Sequence, residues 1–177
     1  MSANSAPQRP DPVSAADDAA RAQARALLAG ANHAALAWTN PETLTPGISR
    51  IGFGLTPEGV PLTLISALAP HVAALRAHPD CAVMLGEVGA RGDALTHPRL
   101  MLRARAEFIA ASDPNRPALR AEWLKGHPKA ALYIDFADFS FVRLVPVSAL
   151  FNGGFGRAFT LRADQIRHPP LERKTGP

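Results

Sequence analysis

The chain has 177 residues, 47% of them apolar and 19% charged, with a formal net charge of +4; that length fits one domain able to bury a core unaided. One cysteine, Cys81, excludes an internal disulfide framework, and the basic residues, some of them in the tail (Arg167, Arg173, Lys174), are too scattered to form a nucleic-acid stripe. No run approaches the roughly 20 apolar residues of a membrane helix and the start M-S-A-N-S-A-P-Q-R-P-D-P carries no charged-then-apolar leader, so a soluble cytoplasmic protein, without membrane or nucleic-acid partners, is expected.

Residues 1–13 are rich in Pro, Ser and Ala and read as a disordered tail. From Ser14 to Leu28 the text reads as a helix, with Ser14 as N-cap, acids in the first turn, arginines later and Gly30 as the stop. H-A-A-L-A-W-T, I-S-R-I-G-F-G-L and P-L-T-L-I-S then read as consecutive antiparallel strands, divided by the turns N-P-E-T and T-P-E-G. A helix opens at Pro70 and closes at His78-Pro79, because a residue before proline avoids the helical region. C-A-V-M-L-G-E-V returns to strand, G-A-R-G-D-A-L-T-H-P is loop, and R-L-M-L-R-A-R-A-E-F-I alternates as a long strand. Asp113 to Gly126 reads as a further helix, H-P-K-A-A-L-Y-I as a short turn-like segment, and F-S-F-V-R-L-V-P as a strand apolar on both faces. A-L-F-N-G-G-F-G-R-A-F-T-L closes the domain as a strand pair, before a polar basic tail at 167–177. Six or so short strands joined mostly by hairpins, with a few flanking helices, predict a mainly β, closed antiparallel six-stranded barrel over 14–166.

The junction L-I-S-A-L-A-P-H-V holds the first candidate site. Ala69 is a poor N-cap, so the helix that Pro70 opens begins with unpaired backbone N–H groups and a positive dipole end. Such an end either faces water or holds an anion, and Ser66 and His71 flank it. Arg50 lies in the strand expected to pair with P-L-T-L-I-S and has no carboxylate close in sequence. Gly153, Gly154 and Gly156 permit a close backbone approach or a turn; they follow no nucleotide-loop pattern. His78, His97, His127 and His168 each precede proline, and no H-x-x-x-H or H-E-x-x-H pair announces a metal site. Cys81 reads as a core thiol, and nothing pairs Asp135 with Asp138 as acid and base, so no catalytic residue is assigned.

The succession P-G-I-S-R-I-G, P-L-T-L-I-S-A-L-A-P-H-V-A-A-L-R-A-H-P, H-P-R-L-M-L-R-A-R-A, H-P-K-A-A-L-Y-I-D-F-A-D-F-S-F-V-R-L and F-N-G-G-F-G-R-A-F resembles the pyridoxamine 5′-phosphate oxidase-like, FMN-binding split-barrel proteins, in their haem-utilisation branch. The likeness runs from about Ala26 to Ile166. It implies a homodimer with FMN in grooves at the interface and a flavin-dependent oxidoreductase as the leading expectation. The alternatives are a haem-binding or haem-degrading protein of iron utilisation and a non-enzymatic flavin-binding module. By the resemblance, Arg50, Ser66 and His71 meet the FMN phosphate, His71 standing where oxidase relatives often have lysine, and Gly153, Gly154 and Gly156 approach the groove or the partner subunit. Arg143-Leu144-Val145-Pro146 is similar to a substrate-clamping motif of the oxidases but lies too early in the chain for that role. If haem is bound instead, His168 is the candidate iron ligand.

Overall fold

The structure, a computed structural model, describes residues 13–154 and 156–166. Its centre is one sheet of nine strands: β1 (Val13–Ala15), β2 (His33–Thr39), β3 (Pro46–Gly52), β4 (Gly54–Leu55), β5 (Pro61–Ser66), β6 (Asp80–Leu85), β7 (Arg99–Phe108), β8 (Phe139–Asn152) and β9 (Ala158–Arg162). Four helices flank it: α1 (Asp18–Gly30), α2 (Pro70–Ala77), α3 (Arg116–Gly126) and α4 (Ala163–Ile166), with a 3-10 segment at Pro128–Leu132 where the turn-like stretch is expected.

Hydrogen-bonded order runs β1-β9-β8-β7-β6-β2-β3, and on its other edge β8 pairs through Phe139–Arg143 with β5, which pairs with β4. The expected closed six-stranded barrel is therefore corrected: the sheet has nine strands and does not close. The break falls between β3 and β5, which the sequence reading takes as a hairpin. Instead β3 ends at Gly52, the chain bends through the fully buried Phe53, and the two-residue β4 makes the hairpin with β5 across the Thr56–Val60 turn. Side chains serve the carbonyls stranded there: the Thr63 hydroxyl donates to Gly52 O at 2.7 Å, and His127 Nε2 lies 2.9 Å from Phe53 O. A buried carbonyl left unmet costs about 1–3 kcal/mol, which is why polar Thr63 is tolerated in β5 with no exposed surface.

α1 starts later than the sequence suggests. Asp17, not Ser14, is the N-cap, its carboxylate accepting from Ala20 N at 2.7 Å, and Ser14 lies in β1 beside β9. The tail expected over 1–13 thus gives up Val13 to β1, while 1–12 lie outside the described residues. α3 begins at Arg116 rather than Asp113, with Pro117 in its first turn. Ala20, Ala24 and Leu28, four apart on one face of α1, pack with Val72 and Leu75 of α2 onto Leu36, Phe53, Leu100, Leu102 and Phe151 of the sheet. A second core joins Leu62 and Leu64 to Leu119, Trp123, Ile134 and Phe141. β5 separates the two cores, which is why Pro61–Ile65 are all buried. A bulge between Arg103 and Ala104 leaves Val147 without a partner in the ladder, next to Pro146, whose missing N–H suits such a break.

Candidate functional site

α2 opens as the sequence suggests, on Ala69 with no side-chain cap and Pro70 in the first turn. The loop before it is nonetheless satisfied from across the sheet. Ser66 Oγ donates to Asp138 Oδ2 at 2.5 Å and accepts from Leu68 N at 3.2 Å, while Ala67 N donates to Asp138 O at 2.8 Å. The hydroxyl expected to greet a phosphate is engaged by a carboxylate, and a dianion brought to Ser66 would meet that negative charge.

His71 is 7% exposed. Its Nδ1 lies 3.1 Å from Ser49 Oγ, which also accepts from Trp38 Nε1 at 3.1 Å; Nε2 is buried without a hydrogen-bond partner. Burial pushes the imidazole pKa below its usual value, so the ring is neutral at neutral pH and carries no charge toward an anion. The sign for stability follows. The unfolded chain takes up a proton on this histidine from about pH 6.5 downward, before the folded chain does, so folding is weakened as pH falls through that window and the penalty is absent above it. Thermal melts of the native chain should lose more stability between neutral and mildly acidic pH than those of His71→Gln; identical slopes would remove the burial argument.

The structure does not bring Arg50 to that ring. Ser49 and Arg50 are consecutive in β3, so they point to opposite faces, Ser49 toward α2 and Arg50 outward, where it is exposed and has no partner among the described residues. Strand register defines what surrounds it. One row runs Arg50, Ala35, Met84, Met101, Leu150 and the next Ile48, Ala37, Ala82, Arg103, each residue directly opposite its neighbour on the adjoining strand. Ile48 is 78% and Met84 52% exposed, so this outer face is an apolar floor with an arginine in each row. Neither Arg50 nor Arg103 makes an ion pair among the described residues.

The glycine run is the β8–β9 hairpin turn, closed by Gly153 N to Arg157 O at 2.8 Å, with Gly154 (φ +115°) and Gly156 (φ +71°) in the left-handed region. A Cβ on Gly154 would lie 3.2 Å from Thr96 O, and one on Gly153 would lie 3.5 Å from Gln23 Oε1. The run lies at the far end of β8 from Phe139, the partner of Ser66 in the ladder. Thirteen steps of strand, on the order of 40 Å along the chain, separate the two, so one chain alone does not gather the glycines with Ser66.

Sequence reasoning misses a cavity of about 620 Å³ between the end of α1, the β4–β5 turn and the end of α3. Trp123 and His127 line it, their rings stacked 4.1 Å apart, and Gly52 and Gly54 let the indole lie against the strand: a Cβ on either would come within 3.1 and 3.4 Å of it. The signal present in the sequence is the i, i+4 spacing of Trp123 and His127 with G-F-G at 52–54, but nothing local joins the two.

The described histidines offer iron few open nitrogens. Nε2 of His71 and of His97 is sealed without a partner, that of His127 is bonded to Phe53 O, and that of His33 pairs with Glu87 at 2.8 Å. His78 is exposed at the end of α2, Nδ1 of His97 and of His127 makes no hydrogen bond among the described residues, and His168 lies outside them. Among the described residues no cluster of three His, Cys, Asp or Glu side chains could hold a metal ion. Cys81 is half-buried and its thiol is pushed up to about 12 by burial, then by Asp80, which agrees with an inert core cysteine. No described helix is long and apolar enough to cross a membrane.

No protein-family model matches the sequence. Over 114 residues, 64% of this chain, it is 30% identical to the chloroplastic non-canonical haem oxygenase HOZ of Arabidopsis thaliana, and it spans 34% of that protein. The structure of a haem-binding protein from Mycobacterium smegmatis superposes with a TM-score of 0.76 at 27% identity, over 85% of this chain and 61% of that one. ChuZ of Campylobacter jejuni superposes with a TM-score of 0.76 at 19% identity, over 86% of this chain and 63% of that one, a likeness of fold alone. The matched stretch thus spans about a third of the curated relative and about three fifths of each of these two structures. The fold is of the split-barrel type, an open nine-stranded form of it, and the likeness falls on its haem-utilisation branch rather than on the pyridoxamine phosphate oxidases in particular.

Proposed function

We propose that this protein binds haem, as substrate or cargo, on the outer face of β2, β3, β6 and β7, and that a second copy of the chain covers that face to form a homodimer. The observation that carries the reading is the 30% identity to a haem oxygenase over 64% of the chain. Three features of the site support it. The floor of Ala35, Ala37, Ala82, Met84 and Met101 is apolar, as the face of a macrocycle requires. Arg50 and Arg103 provide unpaired guanidinium groups for carboxylates at its edge. Ser66 and His71, the other expected phosphate ligands, are engaged or neutral, which disfavours FMN at the start of α2. Iron ligation is assigned to His168, which lies outside the described residues.

An FMN-dependent oxidoreductase, or a plain flavin carrier, is the second reading. It is favoured by the uncapped start of α2 and by the exposed, unpaired Arg50, which would hold the phosphate from the outer face. Titrating the purified chain separately with haem and with FMN decides between them. Haem should develop a saturable Soret band that Arg50→Ala weakens, and FMN fluorescence should stay unquenched. FMN saturation without haem binding would overturn the proposal. Loss of the Soret band on adding a reductant in air, with iron released, would mark degradation rather than carriage.

A further inference from the structure

We infer that the cavity between the ends of α1 and α3 and the β4–β5 turn binds a small organic cation, a primary ammonium group carried on a flat apolar body. None of its lining residues belongs to the surface assigned to haem or flavin, and the inference does not depend on that reading. At about 620 Å³ the cavity has the size of an ordinary small-molecule pocket.

Its most buried lining residues, Leu28, Phe53 and Trp123, are apolar, as is the half-buried Leu55, with Gly54 baring the strand backbone against the indole. Its potential is negative. α1 and α3 both turn their C-terminal ends to the cavity, each equivalent to roughly half a negative charge. The last turn of α1 has no basic residue, and Lys125 in that of α3 is held by Glu122 at 2.6 Å. The Glu58 carboxylate on the β4–β5 turn makes no ion pair among the described residues. The hydrogen-bonding groups are of both kinds, and Trp123 Nε1 is a buried donor without a partner among the described residues. Phe53 O can only accept, so His127 Nε2 carries a proton and donates to it, and His127 Nδ1 has no hydrogen-bond partner among the described residues. The cavity thus presents negative charge and a flat apolar wall, and its lysine is already paired, so a carboxylate or phosphate has no free cation to meet.

Phenethylamine, phenylethanol and phenylacetate share one body and differ in the head group. They can be titrated into the isotope-labelled full chain while the Trp123 indole N–H resonance, assigned with Trp123→Phe, is followed. Phenethylamine should shift it saturably, phenylethanol about tenfold more weakly, and phenylacetate not at all. Glu58→Gln should weaken phenethylamine about fivefold, the scale of an exposed ion pair. Ala29→Trp, at an exposed helix position lining the cavity, should abolish the response and leave haem titrations unchanged. Equal binding of phenylacetate, a response that survives Ala29→Trp, or no response to any probe would overturn the inference. So would an indole shift that follows protein concentration alone, which would mean that a second chain fills the cavity.

Discussion

Trp123→Ala is expected to destabilise the fold by about 3–5 kcal/mol, the cost of emptying a buried tryptophan site. In a chain of this size that lowers Tm by roughly 6–20 °C. The indole is 4% exposed, lies against Gly52 and Gly54, meets Phe141 edge-on at 5.9 Å and stacks on His127. Its loss opens a hole where the second core meets the seam between β3 and β5, and frees the His127 ring that serves Phe53 O. Trp123→Phe keeps the stacking and should recover more than half of the loss. A melt of the alanine variant within 2–3 °C of the parent, less than about 1 kcal/mol here, would show that Trp123 does not hold the seam.

What the sequence disclosed followed from local rules. The Pro70 helix start, the prolines after His78 and His127, and the alternation of β7 each depend on residues a few positions apart, and each is where it is expected. What it hid depends on distant partners. Asp138 reaches Ser66 across 72 residues, and Ser49 reaches His71 across 22, so neither the occupied hydroxyl nor the neutral ring is visible in L-I-S-A-L-A-P-H. The bend at Phe53 is hidden because I-S-R-I-G-F-G-L reads as one strand, and its break shows only in the partners that Gly52 and Phe53 find in Thr63 and His127. F-S-F-V-R-L-V-P, read as a strand apolar on both faces, is spent inside: Phe141, Val142 and Leu144 are fully buried between β5 and β7. The apolar surface left outside comes instead from single residues on four strands, Ile48, Ala35, Met84 and Met101, and no one segment reads as an interface.

That distribution gives the sharper prediction, for Met84→Asp. The side chain is 52% exposed in the single chain and stands at the centre of its row, between Ala35 and Met101. An aspartate there faces water in the monomer and should leave its Tm nearly unchanged, since exposed substitutions rarely exceed about 0.5 kcal/mol. In a two-fold dimer the same carboxylate is buried twice, once from each chain, with no cation directly opposite it and Arg103 only diagonally across the ladder. A central site of this kind contributes about 2 kcal/mol or more, so the dimer Kd should rise at least about 30-fold. Light scattering across a dilution series should give twice the chain mass for the parent and the single mass for the variant. Haem binding should fall with dimerisation, because the floor that receives the macrocycle is then uncovered and repels carboxylates. Exposed Leu68, on the loop before α2, offers the control: Leu68→Asp lies off this face and should leave both dimer and haem affinity as they are. A Met84→Asp protein that remains dimeric and binds haem like the parent would place both partner and ligand elsewhere on the molecule.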